Sequence, residues 1–128
     1  MRIERQATAP NLSIIRREVI EHASRLGMAE QRLNDLKTIV SEACANVVRH
    51  AYGEGAAAGS VEVELIPRDQ GLTVVVRDHG TGICPQPEAD IPSLRMGLPL
   101  IGALSSSLRL SSELDVGTVL EADLPLHA

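Results

Sequence analysis

At 128 residues, the chain is long enough to bury a core without disulfides or metals, and too short for a receptor kinase or any multidomain machine. Hydrophobic residues make up 44% and charged residues 23%, a balance typical of globular rather than disordered chains. The formal net charge of −5 and the single aromatic residue, Tyr52, argue against nucleic acid or an anionic membrane as the main partner, because those surfaces call for basic and stacking side chains.

Cysteine content and hydropathy indicate where the protein works. Cys44 and Cys84 are the only cysteines, too few for the disulfide framework of a small secreted domain. No apolar run approaches the roughly 18 residues of a membrane span, and the N-terminus lacks the apolar stretch of a signal peptide. We therefore expect a cytoplasmic protein with reduced thiols.

The first half of the chain predicts one short strand and two helices. Residues 2–7 alternate loosely in polarity, which favours an edge strand. Over residues 10–26 apolar side chains recur every three or four positions, the helical spacing, and Gly27 follows where a C-cap is expected. The same periodicity predicts a second helix over 29–52. Cys44 lies at the margin of its apolar stripe and is expected to pack in the core.

The second half predicts short strands around a third helix. In order, the segments are strands 61–65 and 72–76 joined by a turn at 67–71, an irregular proline-rich segment 83–96, a helix over 97–104, and a hairpin of strands 108–110 and 118–124 turning at 115–117. This order predicts an α/β (α+β) two-layer sandwich, with a mixed, largely antiparallel sheet covered on one face by three helices.

A first polar cluster lies on the second predicted helix. Glu42 and Asn46 are four residues apart, so both project from one helical face, and His50 extends the row by another turn. A carboxylate and a carboxamide in this arrangement can hold a hydrated Mg²⁺ and orient a hydroxyl beside it. A solvated polar face is the alternative interpretation of the same pattern.

A second cluster, Asp78 with Gly80 and Gly82, directly follows the apolar strand. A carboxylate at a strand end can accept a hydrogen bond from an exocyclic amine, and the glycines allow a ligand close to the backbone. The motif alone also fits a tight turn. A dinucleotide-binding motif fits poorly, because Pro85 stands where its third glycine belongs. A Walker A loop is excluded, because the chain contains no Gly-Lys-Ser/Thr.

Two further motifs come later in the chain. Gly97 and Leu98 open the third predicted helix, and the free N–H groups of a helix N-terminus suit a phosphate. Gly117 and Thr118 lie in the last hairpin, where the threonine also fits an ordinary strand position.

Taken in chain order, these motifs resemble the GHKL ATP-binding fold, or Bergerat fold. The match is closest to its single-domain branch, the bacterial anti-sigma-factor serine/threonine kinases, whose N-box is similar to residues 42–52 here. The resemblance covers about residues 10–125. It implies one domain over 1–128 and an ATP- and Mg²⁺-dependent kinase that phosphorylates an anti-sigma-factor antagonist. It also implies a sigma factor as partner and allows for a homodimer.

The resemblance also implies roles for particular residues. Glu42 corresponds to the general base or water-orienting carboxylate, and Asn46 to the Mg²⁺ ligand. Asp78 corresponds to the residue that binds the adenine amine, and Thr118 to the residue that supports this contact. The other implied nucleotide-binding residues are His50, Gly80, Gly82, Arg95, Gly97 and Leu98, with 83–96 as the ATP lid.

One position departs from the family pattern. Members usually carry Gly-x-Gly before the third helix, and Arg95 occupies the first glycine position here. An arginine can clamp a phosphate or crowd it, which leaves open a catalytically weak or inactive binding module that sequesters a sigma factor or another regulatory partner. The retained Glu42 favours the kinase. A detached ATPase domain of a sensor histidine kinase is a weaker alternative, since the lid is short.

Overall fold

The computed structural model describes residues 1–48, 59–79, 99–113 and 117–127. Within these ranges, no helix combines the length and the apolar character needed to cross a membrane. In chain order the elements are β1 (Arg2–Gln6), α1 (Ala9–Arg25), α2 (Glu30–Asn46), β2 (Ser60–Arg68), β3 (Gly71–Asp78), α3 (99–104), β4 (Ser107–Glu113) and β5 (Gly117–Pro125).

Helix α1 begins and ends close to where its sequence predicts. It starts at Ala9, and Pro10 lies in the first turn, where a backbone N–H has no helical partner. Gly27 follows the helix with a φ of 90° and donates its N–H to the Ser24 carbonyl at 3.0 Å, which confirms the predicted glycine cap. One face of the helix is fully buried, through Ile15, Val19 and Ala23.

Helix α2 starts at Glu30 and continues through a wider, π-type turn at residues 47–48. The remainder of the predicted helix, to residue 52, and the glycine patch after it lie outside the described residues. Cys44 is 1% exposed, so its predicted place in the core is confirmed, and burial raises the pKa of its thiol to about 12. The other buried residues of this helix are Leu36, Ile39, Val40 and Ala43.

The strands form one sheet in the order β1-β2-β3-β5-β4. Every described ladder is antiparallel, so the parallel pairing expected of a mixed sheet is not found among these strands. The reason lies in the α1–α2 hairpin, which returns the chain to the end of the sheet where β1 finished. Gln6 of β1 is paired with Ser60 of β2, and β2 therefore runs back along β1. The α+β sandwich class is confirmed.

The two faces of the sheet have different chemistry. Alternate residues such as Val63, Val74 and Leu120 point into the core shared with the helices. On the opposite face, Arg77 lies 2.8 Å from Glu62 and 2.9 Å from Glu64. Burial of Glu62 raises its pKa, but the hydrogen bonds and charges of two arginines outweigh that effect, so its pKa is lowered overall. The second arginine is Arg2, at 2.8 Å.

The β2–β3 connection is tighter than predicted. Both strands continue into the segment expected to be a turn, which leaves only Asp69 and Gln70 between them. Gln70 takes a left-handed φ of 61°. Pro67 remains in the ladder with β3 because the first chain segment bonds to β2 only as far as Leu65, through Met1, so the missing N–H falls where β2 is an edge.

Candidate functional site

Asp78 and Thr118 face each other at one end of the sheet. Asp78 is the last residue of β3 and Thr118 the second residue of β5, and the antiparallel register places them directly opposite each other. Side chains in such a pair have Cβ atoms about 4.5–5.5 Å apart. Both belong to the alternate positions that face the helices, and Asp78 is 6% exposed. A buried carboxylate and a hydroxyl are therefore brought together beside the helical layer.

The direction of α2 brings its last turn to this end of the sheet. Its start is held at the opposite end, where the Ala29 N–H donates to the Leu126 carbonyl at 2.8 Å. Arg32 Nε donates to the His127 carbonyl at 3.2 Å, also at that end. From there its 17 residues rise about 25 Å and pack against β3 and β5. Asn46 therefore ends the helix near the end of the sheet where β5 begins.

Asn46 has an oxygen that the described structure leaves unsatisfied. Its Oδ1 atom is buried and accepts no hydrogen bond from any described residue. A buried acceptor without a partner costs about 1–3 kcal/mol, and such groups in native proteins are commonly explained by an ion or water. A carboxamide oxygen is a suitable ligand for Mg²⁺, which needs only one or two protein ligands when phosphates and waters supply the rest. The residue present thus fits the metal.

Glu42 lies one turn before Asn46 on α2 and is half-buried. Residues four apart on a helix lie on the same face, so the side chains of Glu42 and Asn46 project from the same face of α2. The structure therefore brings four predicted site residues to one end of the molecule: Glu42, Asn46, Asp78 and Thr118.

Gly117 has a part in this geometry that the sequence did not reveal. Its φ is 136°, a conformation that side chains rarely adopt. A Cβ built on it would overlap the Asp78 carbonyl oxygen and lie 3.0 Å from the Cα of His79. A glycine at the start of a strand can signal close approach of two backbones, and this was the available indication.

Other predicted site residues fall outside the described part of the chain. They are His50, Gly80, Gly82, Arg95, Gly97 and Leu98, together with the predicted lid 83–96. Of the third predicted helix, residues 99–104 are described, and Ile101 within it is fully buried in the core.

The opposite end of the sheet holds a network of paired polar groups. Thr73 Oγ1 donates to Asp123 at 2.6 Å and accepts from Arg68 Nε at 3.1 Å. Arg109 donates to both oxygens of Asp123, at 2.9 and 3.1 Å. The bonds from Arg109 and then from Thr73 lower the pKa of Asp123 to about 2. These residues are among those that line a cleft of about 450 Å³, in which the Asp123 carboxylate is paired with Arg109.

The antiparallel sheet, the helices on one face and the polar residues at one end are the features of an ATP-binding domain. The chain belongs to the histidine kinase-like ATPase domain family, whose model matches residues 6–123. It is similar to the anti-sigma F factor of Pasteuria penetrans, with 29% identity over 137 residues that cover 100% of this chain and 91% of that protein. It is also similar to the serine-protein kinase RsbW of Bacillus thuringiensis (strain Al Hakam), with 28% identity over 117 residues that cover 81% and 72%.

A solved structure agrees in fold. The crystal structure of RsbU and RsbW domains from Mycobacterium tuberculosis superposes with a TM-score of 0.72 at 22% identity. The match covers 98% of this chain and 32% of that chain, so the chain spans about a third of that longer protein. The family predicted from the sequence is confirmed. Membership of an ATPase family implies the use of ATP, and the relatives' names support the predicted activity, a serine/threonine kinase of the anti-sigma-factor type.

Proposed function

We propose that this chain is an ATP- and Mg²⁺-dependent serine/threonine kinase that acts as an anti-sigma factor and phosphorylates an antagonist protein. The observation that carries the proposal is that α2 runs toward the end of the sheet where Asp78 and Thr118 are opposite each other. It brings Glu42 and Asn46 with it. The relatives named as anti-sigma factor and serine-protein kinase support the same activity.

Asp78 would recognise the adenine base. Its carboxylate is buried at the end of β3, where it can accept a hydrogen bond from the exocyclic amine, and a charged acceptor makes such a bond stronger than a neutral one. Thr118, directly opposite, would support that contact through its hydroxyl. The predicted glycines Gly80 and Gly82 would shape the pocket on its far side.

Asn46 would hold Mg²⁺ through its Oδ1 atom, the buried oxygen without a described partner. The metal would supply charge neutralisation for the phosphates when it is bound. Because phosphates and waters would supply the other ligands, one protein ligand from α2 is enough.

Glu42 would act on the acceptor hydroxyl. The hydroxyl oxygen of the substrate serine or threonine forms a bond to the transferred phosphorus as the bond to the leaving oxygen of ADP breaks, and the Glu42 carboxylate takes the hydroxyl proton. Phosphoryl transfer needs mainly positioning and charge stabilisation from the protein. A carboxylate held one helical turn from the metal ligand meets that requirement.

The proposal extends to several features that were predicted from the sequence and are still predictions. They are a single domain over 1–128, nucleotide contacts from His50, Arg95, Gly97 and Leu98, a lid over 83–96, a sigma factor and its antagonist as partners, assembly as a homodimer, and residence in the cytoplasm.

Incubation of the protein with radiolabelled ATP, Mg²⁺ and candidate antagonist proteins tests the proposal. We expect label on a serine or threonine of one antagonist, and no transfer when Mg²⁺ is chelated. ITP, which carries an oxygen in place of the exocyclic amine, should be a poor donor. A protein that binds ATP tightly but never phosphorylates its verified antagonist would instead be the binding module, with Arg95→Gly as the first change to restore transfer.

A further inference from the structure

We propose that Gly117 is a positioning residue for nucleotide recognition, because its missing side chain lets β5 lie against the Asp78 main chain and so sets the direction of the Asp78 carboxylate. This inference rests on the proposed function, since it assigns a task within the adenine pocket. It concerns the start of β5 rather than any group that would touch the nucleotide.

The contact between the two strands is between backbones. A Cβ on Gly117 would overlap the carbonyl oxygen of Asp78 and approach its carbonyl carbon to 2.9 Å. His79 Cα, at 3.0 Å, closes the remaining space. No flexible side chain can move aside here, so an added methyl group must displace the main chain of one strand. The φ of 136° at Gly117 adds strain for any L side chain.

The displaced segment is the one that carries the predicted adenine ligand. Asp78 is 6% exposed, and a buried side chain follows its backbone because packing leaves it few other rotamers. A hydrogen bond weakens steeply as its distance and angle depart from their optimum, so a displaced Asp78 carboxylate would hold the adenine amine less well. Gly117→Ala should therefore weaken ATP binding and also blur the distinction between purine bases.

The same two strands provide a matched control at their other ends. A Cβ on Gly71, the first residue of β3, would lie 2.7 Å from the Leu124 carbonyl oxygen of β5. Gly71→Ala thus introduces the same methyl group against the same kind of backbone oxygen. It does so seven residues along β3 from Asp78, so it should disturb the β3–β5 ladder without moving the adenine ligand.

The experiment is titration calorimetry with ATP and with ITP on five proteins: wild type, Gly117→Ala, Gly71→Ala, Asp78→Ala and the Asp78→Ala/Gly117→Ala double variant. Both glycine variants should melt at lower temperature. Gly117→Ala alone should lose about tenfold or more in ATP affinity, the effect of losing one hydrogen bond to a charged group, and most of its preference for ATP over ITP. Added to Asp78→Ala, Gly117→Ala should cause little further loss, because the residue through which it acts is already gone.

Three results overturn the inference. The first is an unchanged ATP-to-ITP preference in Gly117→Ala, and the second is equal losses in the two glycine variants. If Gly117→Ala does not fold, hydrogen exchange on the wild type gives the third. ATP should slow exchange of the Thr118 amide more than that of the Leu72 amide, and equal effects contradict the inference. Wild-type protein that binds no ATP contradicts the proposed function itself, which separates the two failures.

Discussion

Two polar clusters, at opposite ends and on opposite faces of the sheet, satisfy their polar groups in different ways. Where β3 begins, Asp123 accepts hydrogen bonds from Thr73 and Arg109 at 2.6–3.1 Å. Where β3 ends, Asp78 is buried opposite Thr118, and the nearby Asn46 Oδ1 is buried without a described partner. The first cluster is a structural hydrogen-bond network. The second has the character of a binding site, because the Asn46 Oδ1 atom is left to accept a bond from a ligand.

This difference separates stability from function along one sheet. An unsatisfied buried oxygen costs about 1–3 kcal/mol, and a domain tolerates it where a ligand will satisfy it. Substitutions at the site end should therefore reduce activity more than stability. Substitutions in the hydrogen-bond network around Asp123 should reduce stability more than activity. Each of the following changes has a control chosen to test that separation.

Asn46→Ala should have the largest effect on activity, because it removes the proposed metal ligand. We expect phosphorylation to be abolished and ATP binding to lose its dependence on Mg²⁺. The melting temperature should hold or rise, since the substitution deletes a buried oxygen that has no described partner. Phosphorylation and calorimetric titration with and without Mg²⁺ measure this. Asn34→Ala, at an exposed position of the same helix, is the control. Normal turnover in Asn46→Ala would show that Glu42 and Asn46 belong to a solvated polar face and not to an active site.

Glu42→Ala should reduce phosphorylation by about 10²–10⁴-fold, the usual contribution of a general base. ATP affinity should stay within a few-fold of wild type, because the carboxylate acts on the acceptor hydroxyl. Single-turnover phosphorylation and ATP titration separate the two quantities. Glu30→Ala, at the exposed start of α2, should keep full activity. Equal rates in the two variants would remove Glu42 from the mechanism.

Asp78→Asn should weaken ATP binding by on the order of 1–3 kcal/mol, because the charge-assisted bond to the adenine amine becomes a neutral one or is lost. ITP should lose less, since an asparagine amide can donate to the oxygen of its base. Asp69→Asn makes the same change at an exposed position in the β2–β3 turn and should bind like wild type. A wild-type protein that binds ATP and GTP equally well would rule out the adenine assignment.

Asp123→Asn should affect stability and leave phosphorylation at neutral pH unchanged. The bond from Arg109 lowers the pKa of Asp123 from 3.8 to about 2, so the carboxylate stabilises the fold fully above its ordinary pKa. That stabilisation is lost as the pH falls through about 2. Because Asp123 and Arg109 are partly exposed, the variant should melt only a few degrees lower near neutral pH. Melting curves of both proteins should converge in acid, and a constant difference would contradict this assignment.

The sequence predicted the elements well where a single periodicity decides them. The apolar spacing of α1 and the glycine that caps it come from neighbouring residues, so both were found. The β2–β3 turn shows the limit. Gly71 was assigned to the turn, yet Gln70 takes the left-handed φ, and Gly71 is needed because β5 passes within 2.7 Å of where its Cβ would be. That constraint comes from Leu124, far along the chain.

The site was predicted unevenly for the same reason. The spacing of Glu42 and Asn46 is local, so their shared face could be derived, whereas their roles came from the resemblance to a family. The direction of α2 over the sheet depends on the bond between Ala29 and Leu126, which no local pattern reveals. The Thr73–Asp123 contact and the approach of Gly117 to β3 depend on strand order in the same way.

The sheet order also has a kinetic consequence. The β2–β3 and β4–β5 ladders join neighbouring strands, but β1 and β3 find partners across long stretches of chain: Arg2 bonds to Glu62, 60 residues away, and Thr73 to Asp123, 50 residues away. Closing such loops slows folding. We therefore expect the hairpins to form first and the β3–β5 ladder late. That ladder brings Asp78 and Thr118 together, so only chains that have completed the sheet should bind ATP. From that step onward, bound ATP should stabilise newly made protein against unfolding.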